Sequence, residues 1–377
     1  MTLTTLATVS AAMYDRYTKV VEAEFPRIRL HSTIPTGAPL AIVFDHFRLH
    51  RDRVSEFRQH VNLYFVPGTG MIKSIWRYHI KRLFEYSENN PDLPWQLVNC
   101  IALDHVNHGD SAVENAGVLG WEYDWREGSH DLIQVVKSLR LTGTNIAIGH
   151  SMGGFQTIYS TLISPQMFKF VIVFEPVTHG TELESEIFRK KIIPAVARVI
   201  QTEFKNEKEY ETYMRKKSIF RKFKKEILDE FIETEKIVHR DGTVSMKTSK
   251  EAHIICYCAA ALIFPQGLQF IRNSQTKIVS VYGELAKWTP KESVQQVKDI
   301  IESKPGSEFK MVPGAEHLLT AELPDLTIEK IIEILNDRVK KENIEKGKFD
   351  RKKYDETFKL NYNAVYGDVL LPKRGKL

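Results

Sequence analysis

Residues 146–156, IAIGHSMGGFQ, place Ser151 between Gly149 and Gly153 in the pattern G-x-S-x-G. Short Gly-Ser patterns also punctuate ordinary turns, but here an apolar β-branched run precedes the serine and a helix-compatible segment follows it. This context is typical of a nucleophile elbow, a sharp strand-to-helix turn in which neighbouring positions leave no room for a Cβ. The pattern therefore predicts that Ser151 is a nucleophile. It also predicts that amides at the start of the next helix face negative charge formed there.

Apolar runs and helix-like segments alternate on both sides of this turn. Runs typical of buried strands lie within residues 39–51, 61–70, 96–104, 145–151, 168–177, 276–284 and 308–313. Such alternation is the signature of an α/β fold, with a mostly parallel central sheet and helices on both faces.

The alternation stops between residues 178 and 274, which are charged, helix-like and without a clear strand. We expect four parts: a first core segment (1–177), an inserted helical cap (178–274), a second core segment (275–342) and a charged tail (343–377). Residues 214–231 of the cap predict one helix with an apolar stripe and many Lys and Arg residues. Its basic face is either simply solvated or makes weak contact with anionic membrane surfaces or acyl-CoA headgroups.

A nucleophilic serine needs a base and a third group that orients the base. His317 follows the last predicted strand in the sequence MVPGAEHLL, and this placement predicts the base. For the acid, Glu175 directly follows the sixth strand, whereas Glu284 follows the seventh and comes very early in its loop. We favour Glu175 and keep Glu284 as the alternative.

The oxyanion hole is expected to use the backbone amides of Met152 and Thr69. Thr69 lies in the glycine turn FVPGTGM, where Pro67 stands in the place of a more usual histidine. Asp104 and His108, in the loop after the fourth strand, are expected only to organise that loop.

Composition excludes several classes of protein. The 377 residues are 42% hydrophobic and 27% charged with a net charge of +5, which is ordinary for a globular chain and too weakly basic for a dedicated nucleic-acid binder. Cys100, Cys256 and Cys258 suit neither a disulfide framework nor a zinc site. We expect no metal or other cofactor, no membrane-spanning segment of ~20 apolar residues and no secretory signal.

Several of these stretches together resemble one known family. FVPGTGMIKSIW (65–76), LDHVNHGDSAVENAGVLG (103–120), IGHSMGGFQ (148–156), EPV (175–177) and VPGAEHLL (312–319) are similar to the fungal peroxisomal α/β-hydrolases. This family includes the yeast peroxisomal lipase and hydrolases of AK-toxin-type biosynthesis. The resemblance covers most of residues 61–340. It implies an α/β-hydrolase fold with an inserted cap, lipase- or esterase-like activity on acyl substrates, and a C-terminal peroxisomal tripeptide.

The chain ends in Gly375, Lys376 and Leu377, close to the peroxisomal address Ser-Lys-Leu. We therefore expect the peroxisomal import receptor as a partner and a location in the peroxisomal matrix, or in the cytoplasm if this ending is not read.

The expected function is a serine hydrolase of acyl esters or lipids. An acyl-CoA thioesterase would use the same residues, and a hydrolase-fold protein that binds a ligand without turnover is the alternative from another class. Epoxide hydrolases and dehalogenases are disfavoured because they carry an aspartate where Ser151 stands.

Overall fold

An eight-stranded sheet lies at the centre of the computed structural model, which describes residues 13–339 and 351–370. Its strands are β1 (Tyr14–Glu22), β2 (Ala41–Leu49), β3 (Gln59–Val66), β4 (Trp95–Leu103), β5 (Thr144–His150), β6 (Phe170–Phe174), β7 (Lys277–Gly283) and β8 (Glu308–Val312). They lie in the order β1-β2-β4-β3-β5-β6-β7-β8. Pairs β1–β2 and β2–β4 are antiparallel and all others are parallel, which confirms the predicted fold class.

The register of the central strands brings their carboxyl ends to one edge of the sheet. Val66 of β3 pairs with Gly149, and His150 of β5 pairs with Phe174 of β6. Phe174 also pairs with Val281 near the end of β7. The residues that follow these strands therefore meet at one place, as expected for ligand sites of open α/β sheets.

Helices connect the strands and cover the sheet. In the first unit they are Arg77–Asn89, Gly109–Glu114, Trp125–Leu139, Met152–Ile163, Glu182–Ile187, Ile193–Val199, Glu207–Lys216, Lys225–Glu235, Lys250–Ile263, Gly267–Asn273, Lys291–Glu302, Leu319–Glu322 and Pro324–Arg338. Two 3₁₀ turns, Arg51–Arg53 and Lys73–Trp76, and one π-helical turn, Phe188–Ile192, complete the set. The chain divides into two units, 1–340 and 341–377, and the second unit contains the helix Arg351–Leu370.

Two hydrophobic clusters show that both faces of the sheet are covered. In β6, Phe170, Ile172 and Phe174 belong to one cluster, whereas Val171 and Val173 belong to the other. Successive side chains of a strand point to opposite faces. Because both faces are buried, the strand is a continuous apolar run, and this is why it could be recognised from the sequence.

The chain between β6 and β7 is inserted where the sequence predicts it, but two details differ. It contains a small three-stranded sheet of Glu203–Phe204, Lys236–Val238 and Val244–Met246, so the expectation that this helix-like stretch holds no clear strand is wrong. The single helix predicted over 214–231 is also wrong. The Ser218 hydroxyl donates to the Met214 carbonyl and accepts from the Phe220 amide, and these bonds end the first helix before a second begins at Lys225.

The insertion packs into the same compact unit as the sheet, because Phe220, Phe223 and Phe231 belong to one of the two sheet clusters. The division into core and cap therefore stays a prediction. Within the described residues no single helix is long and apolar enough to span a membrane. Lys250–Ile263 and Gly267–Asn273, bent by 69°, reach that length and composition only as a pair.

Candidate active site

Ser151 occupies a strained turn between β5 and the helix Met152–Ile163. Its backbone angles are φ 55° and ψ −117°, in a region that residues with a Cβ rarely adopt. A Cβ on Gly149 would lie 2.3 Å from the Gly153 carbonyl oxygen, and one on Gly153 would lie 2.4 Å from the Val66 carbonyl oxygen. Both positions must therefore be glycine because a Cβ there would collide with neighbouring backbone carbonyl oxygens, not with Ser151 itself. The turn leaves Ser151 8% exposed.

His317 and Glu175 line up behind the serine hydroxyl. His317 Nε2 lies 3.1 Å from Ser151 Oγ, and its Nδ1 lies 3.0 Å from Glu175 Oε2. A carboxylate accepts only, so Nδ1 carries the proton and Nε2 is free to accept the serine proton. The structure thus brings together the three side chains that the sequence analysis selected from separate loops.

Glu175 is fully buried, yet its carboxylate is paired on both oxygens. Oε1 accepts a hydrogen bond of 2.6 Å from the Gly283 amide at the end of β7, while Oε2 faces His317. These bonds offset the cost of burying the charge. The residue has φ 48°, a second strained position beside Ser151.

Glu284, the alternative acid, lies elsewhere. It is exposed, and its carboxylate accepts from the Gly314 amide at 3.0 Å. It organises the turn before His317 without contacting the imidazole.

The loop after β3 lies directly against the serine. A Cβ on Gly68 would come within 3.1 Å of the Ser151 Cβ, and the Thr69 hydroxyl lies 3.5 Å from the Met152 sulfur. Met152 is the first residue of its helix, so its amide has no partner within the helical ladder. The amides proposed for the oxyanion hole thus belong to two segments in contact beside Ser151.

Two buried histidines form hydrogen bonds to the backbone of the loop after β3. His105 Nε2 donates to the Pro67 carbonyl at 2.9 Å, and the Gly70 amide donates to His108 Nε2 at 2.9 Å. Burial lowers the pKa of His105 to about 4 and that of His108 well below its usual value, so both rings are neutral. His108 can therefore accept the amide. Asp104 accepts from the Asp110 amide at 3.0 Å within its own loop and from the Lys73 amide at 2.7 Å, so Asp104 and His108 also fix the segment after β3, beyond the role expected of them.

His150, for which no role was predicted from the sequence, forms a hydrogen bond to the backbone of the proposed base, His317. Its Nε2 donates to the His317 backbone carbonyl at 2.8 Å, and the two rings lie 5.2 Å apart. Burial, with a contribution from His317, lowers the pKa of His150 to about 3. It therefore stays neutral and keeps this bond at any pH near neutrality. In the sequence, His150 is marked only by its position directly before Ser151, and this position does not predict a hydrogen bond to His317.

A cavity of about 290 Å³ opens above Ser151 and His317. Apolar side chains of the insertion and nearby loops, including Tyr257 and Trp288, line it. The Trp288 ring stacks on the His317 ring with centroids 5.4 Å apart and an angle of 21°. At the mouth, Lys222 pairs with Glu316 at 3.0 Å. Burial, followed by repulsion from Glu316, raises the pKa of Glu322.

Three of the basic residues within 214–231, for which membrane contact was predicted, form ion pairs. Lys222 binds Glu316, Lys224 binds Asp325 at 2.5 Å, and Lys225 binds Asp229 at 2.5 Å. Weak membrane contact therefore stays a prediction, and these pairs reduce the free charge on which it rests.

Two other expectations concern targeting and metals. The tripeptide Gly375, Lys376 and Leu377 lies outside the described residues. In the described part of the chain, no three or more His, Cys, Asp or Glu side chains are grouped so that they could hold a metal ion.

Comparison with known proteins agrees with the fold and the resemblance. Peroxisomal membrane protein LPX1 of Saccharomyces cerevisiae is 27% identical over 340 residues, which cover 84% of this chain and 86% of that protein. The solved structure of peroxisomal alpha-beta-hydrolase Lpx1 from Saccharomyces cerevisiae matches with a TM-score of 0.80 and 24% identity, covering 96% of this chain and all of that one.

More distant structures share the fold. E-2-(acetamidomethylene)succinate hydrolase has a TM-score of 0.61 and 16% identity, over 85% of this chain and all of that one. The thioesterase domain from the curacin biosynthetic pathway has a TM-score of 0.58 and 14% identity, over 84% and 99% of the two chains. The model of the alpha/beta hydrolase family matches residues 63–329, and this chain therefore belongs to that family.

Proposed function

We propose that this protein is a serine hydrolase that cleaves acyl esters in peroxisomes. The observation that carries the proposal is the alignment of Ser151, His317 and Glu175, joined by contacts of 3.1 and 3.0 Å. A non-catalytic ligand-binding protein would have no need for a strained serine, a buried carboxylate and an imidazole in this order.

In the proposed reaction, Ser151 Oγ attacks the ester carbonyl carbon while His317 Nε2 takes the hydroxyl proton. The amides of Thr69 and Met152 stabilise the oxyanion. His317 then gives its proton to the departing alkoxide, and an acyl-enzyme remains. A water molecule, deprotonated by His317, attacks this acyl group, releases the carboxylic acid and restores the serine. Glu175 keeps the imidazole in the required tautomer throughout.

The peroxisomal part of the proposal rests on the names of the yeast relative and on the ending Gly375, Lys376 and Leu377. An acyl-CoA thioesterase is the second candidate, because a thioester carbonyl would react with the same groups. The fold-level likeness to a thioesterase domain is compatible with it.

A fluorophosphonate probe tests the proposal directly, since it labels only activated serines. We expect labelling and p-nitrophenyl ester hydrolysis by the wild-type protein. Ser151→Ala should lose both, and His317→Ala should lose hydrolysis by roughly 10³-fold or more. Circular dichroism should show folded protein in each case. Normal turnover by either variant would overturn the assignment, and parallel assays with acyl-CoA would decide between ester and thioester.

A further inference from the structure

A second cavity of about 220 Å³ lies beside the catalytic one. Its lining is largely apolar and includes Val177, Ile187, Phe188, Ile192, Phe264 and Trp288. Trp288 also lines the catalytic cavity, where it stacks on His317, while its ring meets Phe188 edge-on with centroids 5.9 Å apart. One indole ring therefore forms a wall common to both cavities.

Two polar side chains that line the second cavity, His179 and Glu184, have partners within the protein, whereas the buried Thr289 hydroxyl in the same lining has none among the described residues. His179 Nδ1 lies 3.1 Å from the Phe264 carbonyl oxygen, and its Nε2 lies 2.7 Å from Oε1 of the Gln296 side chain. Glu184 accepts from the Ser293 hydroxyl at 2.7 Å and from the Thr181 amide at 2.6 Å. A ligand in this cavity would therefore be held mainly by apolar contact, with the Thr289 hydroxyl as a single polar contact, rather than by His179 or Glu184.

The rim of the cavity has an unusual backbone. Ile187 and Ile192 are five residues apart: Ile187 directly precedes the π-helical turn Phe188–Ile192, and Ile192 is its last residue. A π turn, with its i→i+5 bonds, brings such residues to the same face, and turns of this kind are frequent at functional sites. The two side chains are 40% and 37% exposed, so large apolar groups border the opening without being covered.

From these features we propose that the second cavity binds the hydrocarbon chain of the ester substrate, which extends from Ser151 past the Trp288 ring. The inference rests on the proposed function, because it places a substrate chain relative to Ser151. Substrates with long apolar chains would thus be preferred over acetate-sized ones. The chain belongs either to the acyl group or to the alcohol, and the two are chemically alike.

The test fills the cavity from its rim. In Ile192→Trp, an indole replaces a side chain that lines the cavity, while Val199→Trp is the matched control. Val199 ends the helix Ile193–Val199, which directly follows the π-helical turn. Its side chain is also apolar and is 51% exposed, but it does not line either cavity. Ile187→Trp is the second filling variant if Ile192→Trp does not fold.

Two substrate series separate the sources of the chain: p-nitrophenyl esters from acetate to decanoate, and acetates of alcohols from methanol to decanol. Each buried methylene is worth about fourfold in kcat/KM. Ile192→Trp should therefore lose roughly 10- to 100-fold on the long members of one series and little on acetate-sized substrates. Val199→Trp should keep the wild-type profile. An unchanged ratio of long to short substrates in both filling variants would overturn the proposal.

A binding measurement keeps this test independent of turnover. Calorimetry with 1-decanol and decanoate on Ser151→Ala should show binding that Ile192→Trp weakens and Val199→Trp does not. If the wild-type protein hydrolyses no ester yet this difference in binding appears, the proposed function fails and the site stands. If ester hydrolysis appears without any effect of the filling variants on binding or profile, the site fails and the function stands.

Discussion

Replacing Glu175 by Gln tests the orientation of His317 with almost no change in side-chain size. In the wild-type protein, Glu175 accepts from both the Gly283 amide and His317 Nδ1. A glutamine can accept from Gly283 only by turning its NH₂ toward His317. Two N–H groups would then face each other, and the imidazole would shift to the tautomer with its proton on Nε2. That tautomer cannot take the Ser151 proton.

The expected loss in kcat is about 10⁴-fold, the size found when the acid of a Ser-His-Asp triad is replaced by its amide. It corresponds to about 5.4 kcal/mol of transition-state stabilisation. Steady-state kinetics with a p-nitrophenyl ester measures the loss, and a fluorophosphonate probe measures serine reactivity separately. Thermal unfolding shows whether the buried amide is tolerated.

Glu284→Gln is the matched control, since it makes the same chemical change at an exposed carboxylate that accepts a hydrogen bond from the Gly314 amide and does not contact His317. Surface changes of this kind alter stability by about 0.5 kcal/mol or less, and kcat should stay close to wild type. If Glu284→Gln loses more activity than Glu175→Gln, the acid has been assigned to the wrong strand. Near-normal turnover by Glu175→Gln would refute the reasoning on the tautomer.

Two further predictions concern acid stability and location. Burial lowers the pKa of His253 to about 4, and within the described residues neither ring nitrogen has a hydrogen-bond partner, so the folded state binds its proton less readily than the unfolded chain. His253 therefore leaves the free energy of unfolding unchanged above pH ~6.5 and lowers it by up to about 3 kcal/mol as the pH drops toward 4. His253→Leu should therefore flatten the fall of thermal stability between pH 6.5 and 4, and an unchanged slope would contradict this. Deleting Gly375, Lys376 and Leu377 should move a fluorescent fusion with a free C-terminus from peroxisomes to cytosol while purified enzyme keeps its activity; an unchanged punctate pattern would exclude this tripeptide as the address.

The parts of the fold that could be predicted are the strands buried on both faces, because burial on both faces gives a continuous run of apolar residues in the sequence. The central parallel strands are apolar on both faces, and Ser151 follows one of them at a turn that requires glycines. By contrast, β1 was missed because it is an edge strand whose residues are largely exposed, so no apolar run marks it. The short strands of the insertion were missed because two or three residues carry no detectable period.

The site was predictable as far as strand ends determine it. Ser151, Glu175 and His317 each follow a strand of the sheet or lie in the loop after it, and parallel strands bring these positions together. The helix break at Ser218 was not predictable, because the apolar stripe continues across it and Phe220 and Phe223 remain buried. The contacts of His150 and Trp288 with His317 join residues more than 20 positions apart, which no local pattern reveals.

The position of the acid on β6 has a further consequence for the insertion. Glu175 is the first residue after β6, and the inserted segment begins only a few residues later, so a displacement of the insertion could pull on the acid through the chain. Two hydrogen bonds to the backbone of β7 oppose this: the Glu175 amide donates to the Val281 carbonyl at 2.8 Å, and the Glu175 carboxylate accepts from the Gly283 amide. Both partners belong to β7, which the chain enters after the insertion. The acid is thus fixed to the sheet by the strand that follows the insertion, and the contact between Glu175 and His317 depends on β7 rather than on the inserted segment.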